Sequence, residues 1–482
     1  MRLQRQSTGE LIVLGEDSLL GTGGEAHIYV VPGHENLVAK VWHKPSPERT
    51  RKVAVMLANP PVDPMANQNH SSIAWPIDML FPPGRARVAA GFLMPRVVNV
   101  RPVADYMHPK TRRRVCPLFN YRYLLRTARN LATAVRALHE RGYVIGDLNE
   151  SNVLVSDTAL VTLVDTDSFQ VWDAETGHMY RCRVGKPEFT PPEMQGKTFS
   201  TIDRTPANDL FALGVLVFQL LMEGTHPFAG IYRGSGEPPP YEKRIAAGHF
   251  PFGGDPRIPY APKPTAPPFE MLTPGLQNLF LRCFQDGHFR PELRPDPQTW
   301  QWLIEEAESH LVVCWQNNEH LFGDHLEKCP WCERTELLGG RDPFPSADAV
   351  KRGEHLRPMP RRGAAGRSGG QKERLPIAPG VPLPPPIPKS SPGGKRSRPS
   401  RGKWNEVAWI AAGLGAVDIA ATGVLLRPNA LTFLFGIAAL LTGILGEANS
   451  RKQEIGGRGR WLARSAFAVG LGTTIWCLWA GT

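Results

Sequence analysis

The sequence predicts an α+β fold in which a strand-rich N-terminal part precedes a mainly helical part. Short apolar runs at 11–14, 73–81 and 88–98 are typical of strands. Residues 47–58 begin with proline and predict a helix. Residues 121–141 place apolar side chains at helical spacing and predict a long amphipathic helix. A strand-rich part that contains one helix, followed by a long helix, is compatible with the α+β class.

Length, charge and cysteine content narrow the classes of protein to consider. The chain has 482 residues, enough for two or three domains. Its net charge is +11, but residues 341–403 hold fifteen Lys/Arg against four Asp/Glu and carry that excess alone. We therefore expect no nucleic-acid-binding fold. Three of the seven cysteines cluster at 314–332 and the others are scattered, which indicates a reducing compartment. The N-terminus has no apolar run, so we expect no signal peptide.

The stretch VIGDLNESNVLVSDTALVTLVDTDSF, at residues 144–169, carries the strongest chemical pattern. Two apolar runs flank a turn-like SDTA, which predicts a β-hairpin. Oxygen-rich side chains stand at its two ends: Asp147, Asn149, Asn152, Asp165 and Asp167. Because a hairpin returns its ends to nearly the same place, these oxygens should converge, which suits Mg²⁺. For this stretch alone, an ordinary hairpin with solvated carboxylates is the alternative.

The spacing D-x-x-x-x-N followed by an aspartate after the second apolar run resembles the bacterial eukaryotic-like Ser/Thr protein kinase family. The resemblance implies a bilobal protein-kinase fold over residues 10–310. It also implies that Asp147 is the catalytic base, Asn152 a metal ligand and Asp165 the main Mg²⁺ ligand. ATP and Mg²⁺ are the implied cofactors, and a protein is the implied substrate.

A nucleotide site is implied by further resemblances in the N-terminal part. The turn LLGTGGEAHI resembles the kinase glycine-rich loop, with nucleotide-contacting positions at Gly21, Gly23, Gly24, Ala26 and Ile28. Lys40, in Val-Ala-Lys-Val, resembles the catalytic lysine that reaches the ATP α/β-phosphates. Met94 and Arg96 fall where the adenine-contacting hinge should lie. Glu48 is the candidate partner of Lys40, or else it only favours the N-terminus of its helix.

The C-terminal lobe carries three more family positions. Pro192-Glu193 resembles the end of the APE motif, and Arg294 matches the arginine that pairs with that glutamate. We therefore predict a buried Glu193–Arg294 pair. Asp209 matches the aspartate that supports the catalytic loop from behind.

Departures from the family pattern bear on activity. Gly146 replaces the arginine of HRD, Asn149 replaces the loop lysine, and Thr166-Asp167 replaces the last two residues of DFG. From Gly146 we hypothesise that no activation-loop phosphate is needed. We count Lys186 as catalytic, on the hypothesis that it supplies the charge that Asn149 lacks; alternatively it points to solvent. We predict an active Ser/Thr kinase, with a nucleotide-binding pseudokinase scaffold as the alternative.

Residues 311–336 predict a small zinc-ribbon-like module with a structural Zn²⁺. The pattern is C-x5-H-x4-H-x3-C-x2-C, in which a C-x2-C turn presents two thiolates to one metal. The predicted ligands are Cys314, His320, Cys329 and Cys332. His325 could serve instead of His320, and a redox C-x-x-C is the competing interpretation.

The C-terminal part predicts a linker and a membrane anchor. Residues 337–403 are rich in Pro, Gly, Arg and Lys and predict a disordered linker. Within residues 404–482, apolar runs at 407–426, 430–446 and 461–479 predict three transmembrane helices. The placement of Lys/Arg predicts a multi-pass protein of the inner (plasma) membrane with a cytoplasmic kinase domain. A partner phosphatase or adaptor could bind the zinc module, and the substrate and oligomeric state stay open.

Overall fold

The computed structural model describes residues 1–84 and 87–357. In these residues, seven antiparallel strands form an N-terminal sheet in the order β2-β1-β6-β7-β5-β4-β3. The strands are β1 (Arg2–Arg5), β2 (Leu11–Val13), β3 (Leu19–Thr22), β4 (Ala26–Val31), β5 (His34–Trp42), β6 (Asp78–Phe81) and β7 (Gly91–Pro95). Their inward side chains form one apolar layer: Val31, Ala39, Val41, Leu80 and Leu93.

Helix α1 (Pro47–Ala58) follows β5 and has the predicted bounds. The Ser46 side chain accepts the Arg49 N–H at 3.1 Å, and Pro47 provides the first helical residue. Val53 packs with Trp42 of β5 on the face of the sheet. The end of β5 and the helix that follows it are therefore fixed to each other.

Residues 96–99 lead from β7 into a second sheet, ordered β10-β9-β8. Its strands are β8 (Val100–Pro102), β9 (Val153–Ser156) and β10 (Val161–Leu163). In the β9–β10 hairpin Val153 pairs with Leu163, which confirms the hairpin expected from the two apolar runs. The open end of this hairpin points towards the N-terminal sheet, because β5 contributes Lys40 to the residues found there.

The remaining part is mainly helical and contains short ribbons. Its helices are α2 (Ala104–Met107), α3 (Pro109–Val115), α4 (Tyr121–His139), α5 (Pro206–Leu221), α6 (Tyr241–Ala246), α7 (Pro274–Leu281), α8 (Gly287–Phe289), α9 (Pro297–Ser309), α10 (Pro330–Leu337) and α11 (Ala347–Lys351). Its ribbons pair β11 (Val171–Asp173) with β12 (His178–Tyr180), β13 (Ile231–Tyr232) with β14 (Tyr260–Ala261), and β15 (Leu311–Val313) with β16 (Leu321–Gly323).

Helices α4 and α5 form the centre of this helical part. Helix α4 buries Leu124, Leu131 and Leu138 along one face, as the apolar spacing predicts. Helix α5 is buried along nearly its whole length, and its Phe218 lies among the aromatic rings of Phe250 and Phe284. This apolar centre supports the loops at the hairpin end.

The segment from β15 to α11 packs against the helical part. The Trp331 ring of α10 lies 5.0 Å from the ring of Tyr121, at the start of α4, and 4.7 Å from that of Phe344. Arg334 of α10 forms an ion pair with Glu223 just after α5, and both side chains are buried. Residues 311–357 are therefore joined to the kinase-like part by core contacts.

The expected linker boundary needs a correction. The prediction of disorder from residue 337 onwards is wrong for residues 337–357, which contain α11 and the buried Phe344. Apolar contacts such as that of Phe344 with Trp331 fix this stretch. The average composition of the segment does not reveal such single contacts. The rest of the predicted linker and the three predicted spans lie outside the described residues. Within residues 1–84 and 87–357, no helix is both long and apolar enough to span a bilayer.

Candidate active site and metal cluster

The catalytic loop (residues 145–152) brings Asp147, Asn149 and Asn152 together. The Asn149 Nδ2 donates to Asp147 Oδ1 at 2.8 Å and to the Asp147 carbonyl at 3.0 Å. The Asn152 Nδ2 donates to the same carbonyl at 3.0 Å. The Asn152 Nδ2 also donates to Asp147 Oδ2 at 3.4 Å, so both amides orient the Asp147 carboxylate. Among the described residues no donor binds the Asn152 Oδ1, which can therefore bind a cation.

Asp165 stands directly after β10, opposite Asn152. The Val164 N–H donates to the Asn152 carbonyl at 3.0 Å, so the hairpin brings the two neighbourhoods together. Asp165 has φ +60°, a left-handed backbone conformation that is uncommon for non-glycine residues and that aspartate tolerates better than most. Its carboxylate and the Asn152 amide oxygen form the hard-oxygen donor set that fits Mg²⁺.

The electrostatic surroundings of Asp147 suit a proton acceptor. Burial raises the pKa of Asp147, and the hydrogen bond from Asn149 lowers it by a smaller amount. A carboxyl whose pKa lies above its ordinary value accepts a proton more readily than a solvated one.

The predicted support behind the catalytic loop is confirmed. Asp209, at the start of α5, is buried and accepts the N–H groups of Ile145 and Gly146, each at 2.8 Å. His139 contacts the same carboxylate at 3.0 Å. Because these bonds go to the loop backbone, Asp209 fixes the path of the chain just before Asp147.

The predicted Glu193–Arg294 pair is also confirmed, although it is buried on one side only. The two guanidinium nitrogens Nη1 and Nη2 of Arg294 bind the two Glu193 oxygens at 2.7 Å each. The Arg294 side chain is fully buried, whereas that of Glu193 is 29% exposed. The pair joins the end of the activation segment (residues 165–194) to the helical part.

Lys40 reaches the hairpin end, but Glu48 is not its partner. The Lys40 Nζ donates to Asp165 Oδ1 at 2.5 Å and also to Asp167. Glu48 instead binds Arg183 at 2.7 Å on the surface, because its place in the first turn of α1 faces the activation segment. The expectation for Glu48 as the partner of Lys40 is therefore wrong.

The glycine-rich turn lies between β3 and β4. Gly21 is in β3 beside an irregularity in strand pairing, and Gly23 and Gly24 form the turn itself. A Cβ at Gly21 or Gly24 would meet open space, so these glycines leave room above the turn. The remaining two predicted contact positions, Ala26 and Ile28, lie in β4.

The proposed hinge residues lie at the exit of the N-terminal sheet. Met94 pairs with Val38 at the end of β7. The Arg96 N–H donates to the Asn36 carbonyl at 2.8 Å, and its guanidinium reaches the Glu35 carbonyl at 3.2 Å. Arg96 therefore fastens the connection between the two sheets to the start of β5.

A larger residue at position 146 would be strained, because Arg204 and Cys182 fill the space beside Gly146. Gly146 has φ +75°, and a Cβ there would lie 2.6 Å from Arg204 Nη1 and 2.7 Å from Cys182 Cβ. Arg204 is buried, and its Nη2 donates to the Val184 carbonyl at 2.7 Å. A guanidinium therefore lies beside the catalytic loop, but it belongs to Arg204 and binds a backbone carbonyl.

Lys186 turns towards the catalytic loop rather than into solvent. Its Nζ donates to Glu150 Oε1 at 2.8 Å and to Ser151 Oγ at 2.5 Å. It makes no hydrogen bond to Asp147 among the bonds of the described residues, and Glu150 offsets its charge. Lys186 therefore lies beside the catalytic loop, as the hypothesis requires, but its ammonium is paired with Glu150.

Ribbon β11–β12 fastens the activation segment to α1. The Arg51 Nε donates to Asp173 Oδ2 at 2.9 Å, and Arg51 also binds Glu175. Lys52 of α1 donates to the Asp167 carbonyl at 2.6 Å. Burial lowers the pKa of Lys52 to about 8. These contacts join the activation segment to α1.

The cysteine cluster assembles as one group of ligand atoms. The atoms of Cys314, His320, Cys329 and Cys332 all lie within 4.8 Å of one another. A tetrahedral zinc site with its usual bond lengths requires S···S of about 3.8 Å and S···N of about 3.6 Å. The structure has 3.7 Å for Cys314–Cys332 and 3.5 Å for Cys332 to His320 Nδ1. His325 lies apart, with its Nε2 3.3 Å from the Glu270 carbonyl.

Two side chains at these sites, Arg204 and Asp342, were not predicted from the sequence, and Asp167 was named there without its role as a partner of Lys40. Asp342 accepts His320 Nε2 at 2.8 Å and the Phe344 N–H at 2.8 Å. It lay in the stretch assigned to a linker, so no motif pointed to it. The signal available for Asp167 was a second aspartate in place of the glycine of DFG.

Comparisons with known proteins agree with this geometry. Residues 98–237 match the family model described as protein kinase domain. Protein kinase YegI of Escherichia coli strain K12 is 33% identical over 329 residues, which are 68% of this chain and 49% of that protein. A probable cAMP-dependent protein kinase catalytic subunit of Encephalitozoon cuniculi is 32% identical over 101 residues, 21% of this chain and 29% of that protein.

The chain spans about half the length of the YegI proteins that it matches, including the one from Escherichia coli O157:H7, which is 32% identical. A kinase domain implies ATP and Mg²⁺, and the oxygen donors at the hairpin end fit that metal. The fold, the site geometry and these matches together show that this chain is similar to bacterial protein kinases over the matched residues.

Proposed function

We propose that this chain is a membrane-tethered protein kinase that transfers the γ-phosphoryl group of ATP to Ser or Thr hydroxyls. The observation that carries the proposal is the convergence of Asp147, Asn152 and Asp165 at one hairpin end, within reach of Lys40. Phosphoryl transfer depends mostly on positioning and charge stabilisation, and these four side chains can supply both.

In the proposed reaction, a substrate hydroxyl oxygen bonds to the γ-phosphorus while the bond from that phosphorus to the bridging oxygen breaks and ADP leaves. Asp147 accepts the hydroxyl proton, aided by its raised pKa. Lys40 holds the α/β-phosphates. Mg²⁺, when bound, neutralises phosphate charge, and Asn152 and Asp165 are the residues that would hold it. We also propose that Lys186 adds positive charge at the transferring group.

The test is incubation of the full chain with γ-labelled Mg-ATP and a generic basic protein, followed by identification of the labelled amino acid. Label on Ser or Thr is expected, and it should be absent with Asp147→Asn. If ATP raises the melting temperature but no label is transferred, a nucleotide-binding pseudokinase scaffold becomes the better account. Label on tyrosine alone would contradict the Ser/Thr assignment.

Zinc at the cysteine cluster is the second part of the proposal. The S···S and S···N distances support a closed tetrahedral site, and Asp342 would orient His320 as a carboxylate–histidine–metal arrangement. Because the cluster joins β15, β16 and α10, its role is structural, and the module is a candidate surface for an adaptor or phosphatase.

Metal content of purified variants tests this assignment. We expect about one zinc per chain in the unsubstituted protein and in His325→Asn, and none in His320→Asn. Asp342→Asn should weaken zinc affinity roughly 10–100-fold. Equal zinc content in the two histidine variants would reject His320 as a ligand.

The membrane tether rests on the three apolar runs from residue 407 onwards. The proposal places the chain in the inner membrane with the kinase domain on the cytoplasmic side. The full chain should stay in the membrane fraction at alkaline pH, whereas a chain ending at residue 403 should be extracted. Extraction of both would contradict the tether.

A further inference from the structure

The Lys40 ammonium needs a negatively charged partner, because the side chain is almost completely buried. Its residue exposure is 7%, and an unpaired ammonium at that depth is strongly unfavourable. Two carboxylates reach it, from Asp165 and from Asp167. Asp165 is 40% exposed and is the proposed metal ligand, so a bound metal would draw on its charge. Asp167 is then the carboxylate that remains for Lys40.

The surroundings of Asp167 hold its carboxylate in place. Its side chain is 8% exposed, with one oxygen on Lys40 and the other accepting the Trp42 Nε1–H at 3.0 Å. The backbone carbonyl of Asp167 accepts the Lys52 Nζ at 2.6 Å. Donors from β5 and from α1 therefore fix both its side chain and its main chain.

Helix α1 offers Lys40 no carboxylate. Its acidic residue, Glu48, is turned to the surface and binds Arg183. The side chain of α1 that does reach this region is Lys52, a cation. The charges are thus arranged in the opposite order to the one expected from the family resemblance: the helix carries the lysine and the activation segment carries the acid.

We propose that Asp167 is the positioning residue that fixes Lys40 for the ATP phosphates, and that Lys52 of α1 fixes the main chain of Asp167. This inference rests on the proposed function only in that Lys40 must bind ATP. It makes the position of Lys40 depend on the segment after β10, and on α1 only through Lys52.

The test measures Mg-ATP affinity, with a non-hydrolysable ATP analogue as the probe, and steady-state kinetics in parallel. Asp167→Asn keeps the shape of the side chain and removes its charge. We expect it to raise the Kd and the KM for ATP at least roughly tenfold. Glu48→Gln, the matched acid on α1, should change both less than twofold. An Asp167→Asn effect below threefold, or a larger effect of Glu48→Gln, would overturn the proposal.

A conservative change separates positioning from simple stability. Asp167→Glu keeps the charge and should retain most of the ATP affinity that Asp167→Asn loses. Melting curves identify any variant that does not fold, and Asp167→Asn then decides alone. A loss in Asp167→Glu equal to that in a folded Asp167→Asn would contradict the proposal.

Failure of the proposed function gives a different result. In that case the unsubstituted chain transfers no phosphate, yet its ATP affinity still responds to Asp167→Asn. Retained transfer with an unresponsive affinity would reject the role of Asp167 and leave the kinase assignment intact.

Discussion

Around Asp147 the residues of the kinase pattern make the contacts expected of them, whereas around Lys40 a residue outside that pattern supplies the buried counter-ion. Asp209 holds the backbone before Asp147 with two bonds, and Arg294 holds Glu193 in bidentate geometry. Lys40 pairs with Asp167 as well as with Asp165.

This difference shows which structural roles require a residue at one fixed position in the sequence. Asp209 accepts two backbone N–H groups whose direction is set by the loop, so no other position could serve without moving that loop. A counter-ion for a buried lysine needs only charge at the right distance, which several positions can provide. We therefore expect substitutions around Asp147 to lower stability or activity strongly. We expect the counter-ion of Lys40 to be less tied to one position in the sequence.

The largest expected effect lies in the region that follows the family pattern. Arg294→Met removes the ion pair with Glu193 and the hydrogen bonds to the carbonyls of Gly287 and Ala207, and it should lower the free energy of unfolding by roughly 3–5 kcal/mol. Arg257→Met is the matched control, because Arg257 binds Asp255 on the surface and should cost less than about 1 kcal/mol. Chemical denaturation measures both, and similar values for the two variants would remove the distinction between the regions.

Gly146 tests a departure from the family pattern inside the catalytic loop, next to Asp147. Gly146→Ala moves towards a side chain at this position, yet its Cβ would meet Arg204 and Cys182. Left-handed backbone and overpacking together should cost about 2–4 kcal/mol. Gly142→Ala shares the positive φ but meets open space, so it isolates the clash. Equal melting temperatures for the two variants would show that Arg204 does not fill this site.

His226 should give the smallest effect, a pH dependence. It is buried beneath the activation segment, where Nε2–H donates to the Glu188 carbonyl at 3.0 Å and Nδ1 accepts the Phe228 N–H at 3.2 Å. Burial lowers its pKa from 6.5 to about 4. Between those values the unfolded chain binds a proton that the folded chain does not, so stability falls as pH falls.

The expected loss is about 2 kcal/mol between pH 7 and pH 5. Denaturation at a series of pH values measures it, and His226→Gln should flatten the curve by that amount. Identical pH slopes with and without the substitution would mean that His226 is not held neutral in the folded chain.

The sequence predicts those features in which a particular residue type stands at a fixed spacing. The β9–β10 hairpin, Asp209 and the Glu193–Arg294 pair follow from apolar runs and motif order. The partner of Lys40 did not follow, because the direction of the Asp167 side chain depends on the turn at Thr166–Ser168. Arg204 was missed because its role is to hold a carbonyl, which leaves no motif.

The same reasoning explains the error near the metal cluster. Asp342 and Phe344 lie in a stretch whose average composition indicates disorder, yet they bind His320 and pack on Trp331. Arg112 and Arg113 add hydrogen bonds to the carbonyls of Pro343 and His355, so several separate contacts hold residues 337–357. Composition describes a whole segment and cannot register single contacts.

The central claim is that Asp147 acts in phosphoryl transfer, and the rate of transfer from Mg-ATP tests it most directly. Asp147→Asn is compared with Asp157→Asn, a matched change at the opposite end of the same hairpin. The account predicts a loss of roughly 100-fold or more for Asp147→Asn, with ATP affinity nearly unchanged, and less than twofold for Asp157→Asn. Equal rates for the two variants, or no transfer by an unsubstituted chain that binds Mg-ATP, would contradict it.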